Sequence, residues 1–292
     1  MSITRRSRMR TFTAAIVATL ALAACGTAGT ETVDDLKILS LSPTATEMLY
    51  AIGAGDQVVA VDSLSTYPAD VASKVTKISA YEPSAEAILG YEPSVVLISN
   101  DMNKITEQLT NANPDIKVWT GAAAATIDDV YKQITELGEL TGRESAAQSL
   151  IDSMKKRIET ATTGVKAPAG TKYFYELDNT LYSVTSNTFV GALMTPFGLA
   201  NIADGAEKGN DYPQLNAEAI VSADPNVIFL ADTKCCGTSA DEVAKRPGWG
   251  GISAVKNGNV VALDDDVASR WGPRIVELLE TVSAAVQKLN TK

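Results

Sequence analysis

Three groups of side chains in this sequence are of a kind that could do chemistry. Asp264, Asp265 and Asp266 stand in a row after a short apolar run. Consecutive carboxylates can gather a metal for hydrolysis or chelation, although a solvated loop or the start of a helix uses the same residues. Cys235 and Cys236 are adjacent thiols. Glu86 and Glu218 occupy the same place in two related sixteen-residue stretches, SAEAILGYEPSVVLIS at 84–99 and NAEAIVSADPNVIFLA at 216–231, which agree at six positions. Histidine is absent altogether. That excludes Ser-His-Asp and Cys-His catalysis and the imidazole ligands on which most zinc and haem sites depend. Neither GxxxxGK[ST] nor GxGxxG occurs, so no phosphate-cradling loop is present.

The two glutamates must be positioned by the elements of their repeat. Ala85, Ile88 and Leu89, and again Ala217, Ile220 and Val221, fall at helical spacing, and Pro93 or Pro225 then stops the helix. The apolar runs 95–98 and 227–230 follow, with the β-branched content of a strand covered on both faces. Each copy is a helix feeding a buried strand. Polar, turn-forming residues come next, at 100–101 and 232–237, and ligands of open parallel sheets bind at that carboxyl end. A period of 132 residues is too long for a stacked solenoid and implies two lobes of similar design. On the residues alone, Glu86 and Glu218 read as solvated carboxylates in the first turn of a helix.

The flanking chain repeats the same grammar. Residues 37–41 read as the first strand and lead into Ser42-Pro43-Thr44-Ala45-Thr46-Glu47, where Thr44 and Glu47 have capping-box spacing. Met48, Leu49 and Ile52 continue that helix to Gly53, and its free N–H groups offer themselves to an anionic or carbonyl-rich ligand. A second strand is expected at 57–61, followed by a loop containing Tyr67-Pro68. In the second half a helical segment at 189–197 ends at Gly198, and Asp211-Tyr212-Pro213 precedes the repeated glutamate helix. Between the halves, 126–138 and 143–163 are helical, the latter with an apolar stripe of Ala146, Leu150, Ile151, Met154 and Ile158. Residues 167–170 break it, and 173–177 start the second sheet. The expected fold is α/β: two Rossmann-like lobes with central parallel sheets, 37–138 and 167–292, joined by one long linking helix within 139–166.

Composition agrees with a globular chain, 45% hydrophobic and 21% charged among 292 residues. Only the N-terminus departs from it. Arg5, Arg6, Arg8 and Arg10 precede an apolar run at 14–24, too short to span a bilayer and laid out as a secretory signal. The signal ends in Leu22-Ala23-Ala24-Cys25, which resembles the lipobox of bacterial lipoproteins, and residues 25–36 read as a flexible tether. Acylation of Cys25 with several chains would hold the protein on a membrane. Loss of residues 1–24 leaves 21 basic and 35 acidic residues, a formal charge of −14. Such a charge repels nucleic acid and anionic headgroups.

The order of SPTATE, Tyr-Pro, the paired glutamate helices, the linking helix and the closing Arg270-Trp271-Gly272-Pro273-Arg274-Ile275 resembles the solute-binding proteins of bacterial ABC importers for iron-siderophore complexes and cobalamin. The resemblance runs from about Lys37 to Leu289. It implies a monomeric receptor that performs no chemistry and needs no cofactor. Its ligand would be a small-molecule metal chelate, an iron-siderophore first and cobalamin next, passed to a permease dimer in the membrane. Two lobes would face each other across a shallow cleft with little hinge motion. Glu86 and Glu218, one on each lobe, would dock onto permease arginines.

The same resemblance places the ligand between the loops at the strand ends. It implies contacts from Thr44, Tyr67, Tyr81 and Asn100 in the first lobe. Phe189, Tyr212, Lys234, Trp249, Asp265, Arg270 and Trp271 would supply them in the second. Arg270 could instead cap the last helix or pair within residues 264–266. Cys235-Cys236 departs from the common pattern of that family. Adjacent Cα atoms lie about 3.8 Å apart, below the usual disulfide range, yet export favours pairing. The expectation is a vicinal disulfide, with two free thiols as the alternative. Two other functions stay open: a lipid-anchored ligand sensor for a signalling receptor, and an envelope hydrolase or chelatase built on the aspartates.

Overall fold

The computed structural model describes residues 36–291. The expected signal peptide, Cys25 and all of the tether but its last residue lie outside them. Among the described residues eight strands form two four-stranded sheets. In the first, β1 (Ile38–Leu41), β2 (Val58–Val61), β3 (Val95–Ile98) and β4 (Lys117–Thr120) lie in the order β2-β1-β3-β4. In the second, β5 (Lys172–Glu176), β6 (Ala200–Asn201), β7 (Val227–Leu230) and β8 (Val260–Ala262) lie in the order β6-β5-β7-β8. Every pairing within both sheets is parallel. The α/β class with two matched parallel sheets is therefore the observed fold. The two repeated strands, β3 and β7, take the same place in different sheets, beside β1 and β5 respectively.

Both sheets are covered on both faces, which is why β3 and β7 are continuous apolar runs rather than alternating ones. Val95 and Leu97 face a large core with Tyr173, Tyr175 and Phe229 of the second sheet among its members. Val96 and Ile98 face a smaller cluster with Ile88, Ile105 and Leu109. Phe174, Ile228 and Leu230 face a third cluster around Trp249. The large core holds residues of both sheets together with Ile151 and Met154.

Those two residues belong to the helix Glu144–Thr162, which follows the helix Ile127–Thr141 after a two-residue corner. The corner depends on two glycines. Gly142 takes a left-handed φ of 66°, and Gly138 lies so close that a Cβ would stand 2.6 Å from that of Ala147. The last helix, Ile275–Asn290, packs back on Glu144–Thr162 and is tied to it by Arg157 and Glu280, at 2.9 and 2.7 Å.

The helices of the repeat are Ala85–Leu89 and Ala217–Ala223, capped by the side chains of Ser84 and Asn216. Both end before the prolines expected to stop them. The turn is made by Glu92 and Asp224, each immediately before its proline and left-handed, with φ of 47° and 49°. A proline disfavours the right-handed helical region for the residue before it, so each prolyl ring acts on the turn through its predecessor. Among the described residues no helix is long and apolar enough to cross a membrane.

Candidate functional site

The carboxyl ends of β1, β2 and β3 surround a cavity of about 360 Å³. Thr44 and Pro43 come from the turn after β1, Asp62 and Leu64 from the loop after β2, and Ser99 and Asn100 from the end of β3. Tyr81 closes one side, and Ser269, Arg270 and Trp271 form the wall contributed by the second half of the chain. Five of the eleven expected ligand residues, Thr44, Tyr81, Asn100, Arg270 and Trp271, thus line one cavity. Hydroxyl groups tie these turns together. Thr46 Oγ1 reaches Ser40 Oγ at 2.9 Å and Ser65 Oγ at 3.0 Å, while Ser99 Oγ donates to Ser42 Oγ at 2.8 Å.

Glu47 does not close a capping box. Ser42 is the N-cap, accepting from Ala45 N–H, and Pro43 opens the helix. Glu47 is buried, and its carboxylate accepts from Arg274 Nε and Nη2 at 2.8 and 2.7 Å and from Arg270 Nη1 at 3.0 Å. Three charge-assisted bonds therefore join the first helix to the segment after β8. Arg274 also stacks on Tyr67, its guanidinium carbon 4.0 Å from the ring centre, so this expected ligand aromatic is engaged with the clasp. Arg270 Nη2 lies 2.6 Å from Asp266 Oδ1 and donates to Leu64 O at 3.2 Å. Arg270 borders the cavity with its charge already matched.

The aspartate row is engaged within the protein. Asp265 accepts the N–H groups of Thr233, Lys234 and Cys235 at 2.8–2.9 Å and the Thr233 hydroxyl at 2.8 Å. Burial works to raise its pKa, but these donors outweigh burial and hold the carboxyl below its ordinary value. Lys234 Nζ binds Asp264 at 2.8 Å and Asp266 at 3.3 Å. Lys234 and Asp265 are therefore expected ligand residues whose polar groups build the loop after β7. Among the described residues no group of three or more side chains is arranged to hold a metal ion.

The other expected positions lie elsewhere. Trp249 is only 1% exposed and packs edge to face on Phe174 at 6.2 Å, with Arg246 over its ring at 4.6 Å. It is a core residue of the second lobe. It opens a single tight turn of helix, Trp249–Gly251. Phe189 lines a separate apolar groove with Ile127, Ile158 and Leu279. Tyr212 is 55% exposed, and the Thr185 and Asn187 side chains bind neighbouring Asp211. Cys235 and Cys236 are both exposed, their sulfurs 2.6 Å apart. Hydrogen bonding to Cys236, then burial, push the Cys235 thiol up to about 12. Glu86 and Glu218 both stand exposed in the first turns of their helices.

Sequence reasoning missed Asp62. It is fully buried, and Oδ1 accepts Ser65 N–H at 2.9 Å while Oδ2 has no hydrogen-bond partner. Burial raises its pKa against the opposing effects of Ser65 and the Arg270 charge. The rule that found Asn100, namely that ligand loops follow strand ends, applies equally to the residue after β2.

Comparison with known proteins supplies the remaining context. Residues 38–267 match the model of a family described as periplasmic binding protein. YvrC of Bacillus subtilis, an ABC transporter substrate-binding lipoprotein, is 32% identical over 86% of this chain and 79% of its own. A cobalamin-binding protein of Halobacterium salinarum is also 32% identical, over 85% of this chain and 69% of its own. The crystal structure of a possible iron-binding, periplasmic solute-binding protein of Staphylococcus epidermidis superposes with a TM-score of 0.70 at 26% identity. It covers 86% of this chain and 98% of that one.

Proposed function

The chain belongs to the periplasmic binding protein family, a binding protein and not an enzyme, and from that premise we propose that it captures a corrinoid and delivers it to an ABC permease. The observation that carries the reading is the cavity at the strand ends of the first sheet, closed by Ser269–Trp271 from beyond the second. Tyr81 and Trp271 offer ring faces, while Thr44, Asn100 and Asp62 offer polar anchors, a combination suited to a large planar ligand edged with polar groups. The halobacterial relative, named for cobalamin, supports the corrinoid over the iron-siderophore that the sequence placed first. The staphylococcal structure, described as of a possible iron-binding protein, keeps ferric chelates as the second reading.

Two further parts belong to the same proposal. Exposed Glu86 and Glu218, one per lobe, dock the receptor on a twofold permease, where rim charges set orientation and on-rate. Acylated Cys25 anchors it to the extracytoplasmic face of the membrane, as the lipoprotein description of YvrC supports. Isothermal titration calorimetry of the mature chain with cyanocobalamin, haem, a ferric hydroxamate and a ferric catecholate tests the ligand. Submicromolar binding of cyanocobalamin is expected, with the others at least tenfold weaker. Tighter binding of either ferric chelate replaces the corrinoid reading.

A further inference from the structure

We propose that Asp62 is the hydrogen-bond acceptor of the bound ligand, and that through it the cavity selects a neutral, amide-bearing ligand over an anionic chelate. The inference rests on the cavity being the ligand site. It starts from a contrast among the buried carboxylates. Glu47 receives three charge-assisted bonds, and Glu176 a bidentate pair from Arg246 at 2.7 and 2.6 Å. Asp62, equally buried and lining the cavity, has one oxygen with none. Asp232 also has an unmet oxygen, but it neighbours Glu176 and stands away from the cavity lining.

Leaving a buried carboxylate oxygen unpaired destabilises a fold, so such a group persists where something outside the chain uses it. The neighbouring side chains are already engaged. Ser65 acts on Asp62 through its N–H at Oδ1 and through its hydroxyl, which is also bonded to Thr46, and Arg270, the cation whose charge acts on Asp62, is held by Glu47, Asp266 and Leu64 O. The local field is therefore that of an acceptor without a matching donor. A primary carboxamide N–H satisfies it without bringing charge. A catecholate or carboxylate chelate would set a second negative charge against it. The edge of a corrin ring carries such carboxamides.

Asp62 Oδ2 is closed from solvent, so the ligand reaches it by displacing the 62–65 turn. That turn projects Leu64, which is 45% exposed, and Arg270 restrains it through the 3.2 Å bond to Leu64 O. Ligand entry would exchange this bond for one to Asp62.

Calorimetry on the wild-type mature chain and on Asp62→Asn and Asp62→Ala tests the proposal, with cyanocobalamin, a cobalamin monocarboxylate in which one peripheral amide is hydrolysed, and a ferric tris-catecholate. Both variants are expected to bind cyanocobalamin about tenfold or more weakly, the size of a lost hydrogen bond to a charged group. Asp62→Asn should bind the two anionic ligands no worse than wild type does. Its thermal midpoint should equal or exceed the wild-type value, which separates a ligand role from a structural one. Wild-type affinity for cyanocobalamin in Asp62→Asn, or weaker binding together with a lowered midpoint, overturns the proposal. If the wild type binds no corrinoid, the function reading fails first. The Asp62 proposal then stands only if the tightest ligand found is an uncharged amide donor that Asp62→Asn weakens.

Discussion

Glu47 is the residue on which the joining of the two halves turns. Its carboxylate, buried within the first lobe, is met by two guanidinium groups from more than two hundred residues away. Removing one partner of such a pair strands the other charges in a dry setting, at a cost of about 3–5 kcal/mol. Glu47→Ala should lower the free energy of unfolding by that amount in urea titration, and a change under about 1 kcal/mol would show the clasp to be dispensable. Asp62 makes the opposite case and gives a pH signature. Its pKa is raised in the folded state above the ordinary 3.8 by burial, with Ser65 and Arg270 opposing. Its favourable contribution is therefore complete below pH 3.8 and is lost as pH rises through the raised value. The stability advantage of Asp62→Asn over wild type should widen between pH 4 and pH 8, and a gap that narrows would refute this sign. Neither role was legible locally. The Thr44–Glu47 spacing pointed to a cap, because a pairing across the whole chain leaves no trace in short-range spacing.

At the scale of elements the sequence was far more informative. Unbroken apolar runs located β3 and β7 residue for residue, and the helix at 143–163 fell within a residue of Glu144–Thr162 at each end. Burial on both faces leaves an unbroken apolar signature, and five turns of helix leave a periodic one. The failures were short elements governed by tertiary packing, above all the turn at Trp249 and the helix ends before Pro93 and Pro225. Those ends supply a paired prediction. Glu92 pays for its left-handed backbone with nothing but an exposed ion pair to Lys37 at 3.2 Å, so Glu92→Gly should stabilise the fold by about 0.5–1 kcal/mol. Asp224 has the same backbone, but its carboxylate also accepts Ser253 N–H and Oγ–H at 2.6 and 2.8 Å. Asp224→Gly should therefore destabilise by about 1 kcal/mol. Chemical denaturation of both variants decides it, and shifts of the same sign would sink the distinction.

At the scale of the whole molecule, the strand orders β2-β1-β3-β4 and β6-β5-β7-β8 make the halves interchangeable in plan. They differ in what they bring to the opening. One supplies the cavity floor; the other supplies the wall of Ser269–Trp271. The repeat in the sequence disclosed the common plan, because a shared strand needs a shared apolar pattern. The differing contents stayed hidden, because each depends on which side chains meet across the lobes. The matched stations of Glu86 and Glu218 carry one more consequence. A body standing on two equivalent feet has two headings, half a turn apart, in which it can settle on a platform of twofold symmetry. Both headings use both feet, so the arrival rate gains a statistical factor of about two, and neither foot is privileged. On the proposed docking, Glu86→Lys and Glu218→Lys should slow capture by permease-bearing vesicles to the same degree, and a lopsided loss would mean that the receptor lands in one heading only.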